Sequence, residues 1–229
     1  MDRSQVLKAR KATNYIEHQL QDGTTSTYAD IRGGISWPIL GTVPAYFCIV
    51  GREWLKESRF HIDPPPEGKL HIIAECEYAE MSLQGFFDRL MDCASLYCCN
   101  TFYTITEQDN QGQSYQLLVQ RLRECVYKKG VPLYIVQAPW PNNIDVGVYL
   151  IRDMIDRGQV EIEPGSIVYA QLKRLQPDDV KQLPEKLPAV NALRYVMAGL
   201  DRDKPHKPHP KDWRKHVKQL SWGRRMGNH

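Results

Sequence analysis

The spacing of apolar residues in the first part of the chain predicts a helix, a loop and then a group of strands. Residues 4–20 place apolar side chains at helical spacing behind Ser4, which predicts an amphipathic helix. Residues 21–34 contain turn and cap residues with little periodicity and are expected to form a loop. A short strand around the stretch GGISW leads into three predicted strands at 45–54, 58–62 and 69–78.

After these strands the pattern alternates between helical and strand-like spacing. Helices are predicted at 82–98, 114–130, 143–159, 166–176 and 187–200. Buried strands are predicted at 101–107 and 132–139, and VEIEPG, residues 160–165, is expected to form a short β-turn segment. Strands that first pair as hairpins and then alternate with helices predict a mixed sheet with helices on both faces.

This order of elements predicts the fold class. We expect an α/β chain with the ribonuclease H-like fold, built on a mixed five-stranded sheet. The alternating part alone would also fit a doubly wound domain, but the three opening strands argue against that fold. We expect a helix and loop over residues 1–33, the ribonuclease H-like domain over 34–200 and a separate tail over 201–229.

Charge is distributed unevenly over the 229 residues. The tail carries nine Lys or Arg against three Asp, a formal charge of +6, whereas residues 1–200 carry −3. The stretch KPHKPHPKDW within the tail alternates proline and histidine, which favours an extended segment that a partner orders. Nucleic-acid phosphate or an acidic protein surface is the natural target, and the alternative is a merely solvated tail.

Several function classes are excluded by missing patterns. No apolar run approaches the roughly 18 residues of a membrane span, and the N-terminus lacks the apolar core of a signal peptide, so we expect a cytoplasmic protein without a membrane partner. The phosphate-binding pattern GxxxxGK[ST], the dinucleotide pattern GxGxxG and the hydrolase pattern GxSxG are all absent. A P-loop ATPase, a Rossmann oxidoreductase and an α/β-hydrolase are therefore poorly supported.

The six cysteines have no C-x-x-C pair and lie mostly in apolar stretches, which favours buried reduced thiols. A zinc site from Cys93, Cys98 and Cys99 is the minor alternative, because it lacks a second ligand pair at usable spacing.

Four segments carry a more specific pattern. The stretch GGISWPILGTVPAYFCIVG has a Trp after a small residue, then a loop, a proline and an apolar strand. The others are NTFYTITEQ, IDVGVYLIRDMIDRGQVEIEPGS and AVNALRYVMAGL. Together they resemble, from about residue 30 to 200, the C-terminal nuclease domain of the large terminase subunit of tailed phages, which has a RuvC-type ribonuclease H-like fold. That family cuts concatemeric DNA during head filling, and its closing helix has the pattern Asp-Ala-Leu-Arg-Tyr.

The resemblance implies a metal site whose acids are replaced in this chain. Nuclease chemistry on this fold uses two divalent ions about 4 Å apart, which carboxylate oxygens hold. The family's acid positions fall on Ser36, on or near Thr104, and on Asn191. These neutral side chains would leave two dications without compensating charge, so we expect no catalytic residue, no metal and no cofactor.

Displaced acids could still supply such a site. Glu75 and Glu77 alternate in a predicted strand and would share one face, and Glu107 and Asp109 follow the next strand. If they held ions, the chain would be an active Mg²⁺- or Mn²⁺-dependent DNA endonuclease with relocated carboxylates. The simpler alternative is that all four carboxylates are exposed to solvent.

Basic and aromatic residues are the expected nucleic-acid contacts. Basic side chains would bind phosphates, and tryptophans in proline-adjacent loops would stack on bases. The expected set is Arg32, Trp37, Trp140, Lys173, Arg174, Arg194, Lys211, Arg214, Lys215, Arg224 and Arg225.

Three functions therefore stay open at this point. The leading hypothesis is a non-catalytic DNA-binding or assembly component of phage DNA packaging, with double-stranded DNA as partner and a separate packaging ATPase or portal protein as a second one. In that case the location is the host cytoplasm. The alternatives are the relocated-acid endonuclease and a module that binds only protein.

Overall fold

A mixed sheet of seven strands forms the centre of the chain in its computed structural model. The structure describes residues 15–19, 25–38, 43–53, 68–78, 82–107, 114–139, 144–176 and 186–201. The strands are β1 (Tyr15–Gln19), β2 (Thr25–Ser36), β3 (Ala45–Glu53), β4 (Leu70–Tyr78), β5 (Thr101–Thr104), β6 (Tyr134–Gln137) and β7 (Val160–Glu161). The helices are α1 (Leu83–Leu96), α2 (Gln116–Lys129), α3 (Ile144–Asp156), α4 (Ile167–Arg174) and α5 (Pro188–Asp201).

The strand order identifies the fold. The sheet runs β6-β5-β2-β3-β4-β7, with β1 paired to β2 outside this path. Strands β2, β3 and β4 are antiparallel neighbours, whereas β5 and β6 add in parallel beyond β2. Three meandering strands followed by two parallel crossover strands are the ribonuclease H-like arrangement, so the predicted fold class is confirmed. The sheet exceeds the predicted five strands because β1 and β7 extend it.

The N-terminal prediction was wrong where the structure describes it. Residues 15–19 form a strand, not part of a helix, and most of the predicted loop at 21–34 belongs to β2. The glycines in β2 are sites of close approach instead of turn residues. A Cβ at Gly33 would lie 2.2 Å from the Phe102 ring, and one at Gly34 would lie 2.2 Å from the Ala192 carbonyl oxygen.

The other predicted elements have counterparts with ends shifted by a few residues, apart from the strand at 58–62, which lies outside the described residues.

Alternating side chains of β3 divide the interior into two cores. Phe47 and Ile49 pack with residues of α1 and α2 on one face. Tyr46, Cys48 and Val50 pack with residues of α3, α4 and α5 on the other face. Because successive strand residues point to opposite faces, this central strand is buried on both sides.

Helix α5 is buried along its whole described surface. Every side chain from Pro188 to Leu200 is buried, and the helix packs against β2, β3, β5, α3 and α4. A helix that is apolar all round is typical of a core helix, so the polar residues within it need partners inside the protein.

The close approach of β2 to α5 has a testable consequence. We expect Gly34→Ala to lower the free energy of unfolding by about 1–3 kcal/mol, because the new Cβ meets backbone that cannot rotate away. Urea unfolding measures the effect. Gly165→Ala is the matched control, since a Cβ there meets nothing within 4 Å. Equal stability of Gly34→Ala and Gly165→Ala would contradict the packing described for β2 and α5.

Candidate functional site

A buried pair of polar side chains joins the end of β2 to α5. Ser36 is the last residue of β2 and is fully buried, and Asn191 lies in the first turn of α5 with 2% exposure. The Asn191 amide Nδ2 donates a hydrogen bond to Ser36 Oγ over 3.1 Å. The same Nδ2 lies 3.4 Å from the Tyr195 hydroxyl oxygen, one helical turn further along. The structure therefore brings together two of the three positions that the sequence assigned to metal-binding acids.

The carbonyl side of the Asn191 amide faces a guanidinium group. Arg194 donates to Asn191 Oδ1 from Nη2 over 2.7 Å and from Nε over 3.3 Å. Its guanidinium carbon lies 4.5 Å from the centre of the Tyr195 ring, a distance typical of a cation–π contact. Burial lowers the pKa of Arg194, and the contact with Tyr195 opposes that shift. An arginine guanidinium stays protonated in proteins, so a positive charge lies inside the protein beside this amide.

Helix α3 encloses Arg194 from the other side. A Cβ at Gly147 would lie 2.1 Å from Arg194 Cγ and 2.3 Å from Cδ, so only glycine leaves room for this side chain. With 2% exposure, Arg194 has no surface to offer to a phosphate. Its predicted role as a nucleic-acid contact is therefore not supported by its position.

Thr104 lies on β5, the strand that pairs with β2, but its side chain lies on the opposite face of the sheet from Ser36. Its hydroxyl donates to the backbone carbonyl of Ile35 over 2.9 Å and is fully buried. Strand alternation places Thr104 on the same face as Phe102, which packs in the core of α1 and α2. The residue on the α5 face is Tyr103, whose ring approaches Gly199. Thr104 therefore contacts the neighbour of Ser36 without joining Ser36 and Asn191.

Glu75, the first of the predicted relocated acids, is bound to the protein itself. One carboxylate oxygen accepts the backbone N–H of Ile167 over 2.8 Å, and the other accepts that of Val168 over 3.3 Å. The second oxygen also accepts the Tyr46 hydroxyl over 2.6 Å. Burial, together with Cys48 and Glu75 nearby, raises the pKa of Tyr46 well above its usual range. Glu75 thus joins β4 to the N-terminus of α4, where a carboxylate is favoured by the free N–H groups.

The other predicted acids have different surroundings. Glu77 is exposed and lies opposite Tyr46, which in turn lies opposite Ser36 across β3. Glu107 is exposed, and its backbone carbonyl accepts the N–H of Tyr115. Asp109 lies outside the described residues. Of these acids, Glu77 is the one that strand pairing places in the same cross-strand row as Ser36.

The role of Glu75 leads to a prediction about stability. We expect Glu75→Gln to lower the free energy of unfolding by about 1–3 kcal/mol. Both oxygens of the carboxylate accept hydrogen bonds, whereas the NH2 group of a glutamine amide can only donate, so at least one of the three hydrogen bonds would be lost. The matched control is Glu77→Gln on the same strand, which should change stability by less than about 0.5 kcal/mol because the side chain is exposed. Chemical denaturation of both variants measures the difference, and equal effects would contradict the structural role of Glu75.

The predicted nucleic-acid contacts separate into buried, accessible and undescribed residues. Trp37 is 3% exposed and its indole N–H donates to the Ile105 carbonyl over 2.9 Å, so its predicted stacking role is not supported either. Arg32 is partly buried and pairs with Asp30 over 3.0 Å. Lys173 and Arg174 are exposed in the last turn of α4. The remaining predicted contacts lie outside the described residues: Trp140, Lys211, Arg214, Lys215, Arg224 and Arg225.

Sequence reasoning missed Tyr195 and Gly147 as parts of the site. The stretch NALRY contained a signal for the first of them, because residues three and four positions after Asn191 share its helix face. Gly147 had no such signal, since its role depends on packing between α3 and α5.

The cysteines form neither disulfides nor a metal site within the residues that the structure describes. All six cysteines are free, and Cys48, Cys93 and Cys99 are buried, as the apolar context predicted. Burial raises the pKa of Cys48 well above its usual range and that of Cys99 to about 12. Within the described residues, no group of three or more His, Cys, Asp or Glu side chains has a metal-binding arrangement. Nor does any described helix have the length and apolar character to cross a membrane.

Comparison with solved structures finds similar folds in phage and yeast proteins. The large terminase nuclease from thermophilic phage G20c, determined with bound zinc, has 12% sequence identity and a TM-score of 0.45, and covers 83% of this chain and 92% of its own. The large terminase (g2p) nuclease domain from bacteriophage SPP1, determined with bound Mn, has 14% identity and a TM-score of 0.43, with coverages of 77% and 88%. The yeast mitochondrial Holliday junction resolvase Ydc2 has 12% identity and a TM-score of 0.34, with coverages of 75% and 83%.

The two phage structures are large terminase nuclease domains, the family that the sequence motifs resemble. No family model matches the sequence, and no curated protein sequence is detectably similar to it. Identities of this size say nothing about activity in this chain.

Proposed function

We propose that this chain is a non-catalytic ribonuclease H-like domain that binds double-stranded DNA, as a DNA-binding or assembly component of phage DNA packaging. The observation that carries the proposal is the position of the Asn191 amide between Ser36 Oγ at 3.1 Å and the Arg194 guanidinium at 2.7 Å. The packaging role rests on the resemblance of the sequence motifs to the terminase nuclease family.

The charge of the buried cluster opposes metal binding. Two-ion nuclease chemistry needs several carboxylates, because each dication must be compensated by negative charge in a poorly solvated site. Ser36 and Asn191 contribute no negative charge, and Arg194 adds a positive one that is fixed by two hydrogen bonds. A dication near this amide would be repelled by the guanidinium, and at low dielectric that repulsion is strong.

The competing explanation is a metal site built from relocated carboxylates. The surroundings of Glu75 argue against it, whereas those of Glu77 favour it. Glu75 already accepts three hydrogen bonds from α4 and Tyr46, so using it as a metal ligand would free the N-terminus of α4. Glu77 is exposed and occupies the same cross-strand row as Ser36, so it is the one observation that favours an active endonuclease. A single carboxylate compensates half of one dication, which is too little for two.

Binding to DNA is supported by the distribution of basic residues. Lys173 and Arg174 present two adjacent charges on the last turn of α4. The segment from residue 201 to 229 adds a formal charge of +6. Phosphate contacts from such residues supply most of the affinity for duplex DNA and make it strongly dependent on salt.

A calorimetric titration of the full chain with Mn²⁺ tests the proposal. We expect no saturable binding with a dissociation constant below about 1 mM, which corresponds to about 4 kcal/mol of binding free energy. Saturable binding that Glu77→Gln abolishes would support the relocated-acid endonuclease instead. Absence of Mn²⁺ binding together with absence of duplex binding at low salt would leave a protein-only module.

A further inference from the structure

The outer strands β5 and β6 are buried on one face and partly open on the other. On the face of α1 and α2, Phe102 and Ile135 are buried, as strand alternation requires of core residues. On the opposite face, Val136 is only partly buried and Tyr134 is 64% exposed. Neither Tyr134 nor Val136 joins the two cores that the described residues form. We call the surface formed by Thr101, Tyr103, Tyr134 and Val136 the β5–β6 face.

Helix α5 runs across the sheet towards this face. Near its beginning it lies against β2, because a Cβ at Gly34 would overlap the backbone carbonyl of Ala192. Near its end it lies against β5, because a Cβ at Gly199 would overlap the Tyr103 ring. Strand β6 is the next strand beyond β5, and α5 ends at Asp201. The tail therefore begins beside the β5–β6 face.

The tail contains a segment whose pattern suits an apolar surface. It lies outside the described residues, and its sequence places Trp213, Val217 and Leu220 at spacings of four and three residues. This spacing predicts one apolar side of a short helix, with Asp212 before it and Gly223 after it, as is common at helix ends. The basic residues of the stretch fall on the opposite side of the predicted helix: Arg214, Lys215 and Lys218.

A helix of this length needs a surface on which to pack, and the linker before it can reach one. Isolated helices shorter than about 12–15 residues are marginal in water, so most of their stability in proteins comes from packing of the apolar side. The linker RDKPHKPHPK, residues 202–211, contains three prolines. Extended at about 3.1 Å per residue, it spans up to about 30 Å. Neighbouring strands are only about 5 Å apart, so the β5–β6 face lies well within this reach.

We propose that residues 213–222 form a helix that packs on the β5–β6 face of the same chain. Its apolar side covers Tyr134 and Val136, and its basic side faces solvent. The four residues of the face are uncharged, so removal of apolar area from water on both partners drives the contact. The contact does not depend on the DNA-binding proposal, although it leaves the basic side of the helix available to phosphates.

Other occupants are less suited to this face. Duplex DNA would set phosphate oxygens against a surface whose four side chains carry no positive charge. A second copy of this chain could supply the same tail segment, but a short linker gives the chain's own segment an effective concentration of about a millimolar. A separate partner protein has no such advantage, so the chain's own tail is the favoured occupant.

Hydrogen exchange of the full chain, followed by mass spectrometry, tests this contact. Amides of residues 213–222 should exchange at least about tenfold more slowly in the parent chain than in a synthetic peptide of the tail, because a packed helix is protected. Tyr134→Ser on the sheet and Leu220→Ser in the tail should each remove most of that protection. The matched controls are Tyr127→Ser, an exposed tyrosine on α2, and Trp222→Ser, on the opposite side of the predicted helix. Both controls should retain the protection.

Circular dichroism confirms that each variant is folded, as expected for substitutions outside the two cores. The proposal is overturned if the tail of the parent chain exchanges as fast as the peptide, or if the controls lose as much protection as Tyr134→Ser. It is also overturned if protection rises with protein concentration, since the tail then packs on a second copy, or if it appears only with duplex DNA. Retained protection in a chain that does not bind duplex DNA supports this contact and contradicts the DNA-binding proposal alone.

Discussion

The double variant Ser36→Asp/Asn191→Asp is expected to bind Mn²⁺, and the parent chain is not. Asn191 Nδ2 and Ser36 Oγ are 3.1 Å apart, so two carboxylates introduced there would be close enough to share one cation. Without a metal they would repel each other in a buried site, which costs several kcal/mol, and a bound dication removes that repulsion. We therefore expect a destabilised variant whose melting temperature rises steeply with Mn²⁺.

Thermal unfolding over a range of Mn²⁺ concentrations measures this effect. At about one hundred times the dissociation constant, the ion should add about 2.7 kcal/mol to the stability of the double variant. The Asn191→Asp variant alone should gain almost nothing, because Arg194, whose Nη2 lies 2.7 Å from the present amide oxygen, neutralises its single carboxylate, whereas the second carboxylate of the double variant leaves a net negative charge to hold the ion against that guanidinium. Ser36→Asn controls for volume without charge. Equal responses of the parent, the single variant and the double variant would contradict the assignment of this cluster to a former metal site.

Removal of residues 204–229 is expected to weaken duplex binding strongly and to reduce its dependence on salt. The deletion removes eight of the nine basic residues beyond position 200. Each phosphate that the protein no longer neutralises changes the slope of log affinity against log salt by about 0.9, so the slope should flatten by several units. Folding should be retained, because α5 ends at Asp201 and closes the buried core before the deleted segment.

Filter binding at several salt concentrations gives both the affinity and the slope. The deleted segment also contains all four histidines of the tail, so the parent chain should bind somewhat more tightly near pH 6, where histidines gain charge, and the truncated chain should not. Lys173→Gln/Arg174→Gln is the comparison within α4, which should flatten the slope by no more than about two units. An unchanged affinity and slope after the deletion would show that the tail docks on protein instead of DNA.

The central fold was predictable because its elements carry local signals. The alternation of helices and strands after β4 follows from apolar spacing, caps and turn residues, and the order of these elements is enough to indicate a mixed sheet. Only the end of strand β2, around GGISW, was predicted; the first part was assigned to a loop because its threonines and polar residues resemble one, and the small size of Gly33 and Gly34 has a reason in packing, since it admits Phe102 and α5. These contacts join segments that are far apart in the sequence, so local sequence patterns do not reveal them.

The site was predictable only in part, for a related reason. The pairing of Ser36 with Asn191 spans 155 residues and was anticipated from the family pattern, not from spacing. Thr104 was assigned to the same site, but a shift of one residue along a strand moves a side chain to the other face of the sheet. The burial of Arg194 and Trp37 was likewise invisible locally, since both residue types also occur in nucleic-acid surfaces.

Nicking of supercoiled plasmid by the full chain with Mn²⁺ tests the central claim most directly. With neutral Ser36 and Asn191 held beside the Arg194 cation, we expect the plasmid to remain supercoiled at protein concentrations that saturate DNA binding. Metal-dependent nicking that disappears on Glu77→Gln would contradict the account, and it would establish an endonuclease with relocated carboxylates.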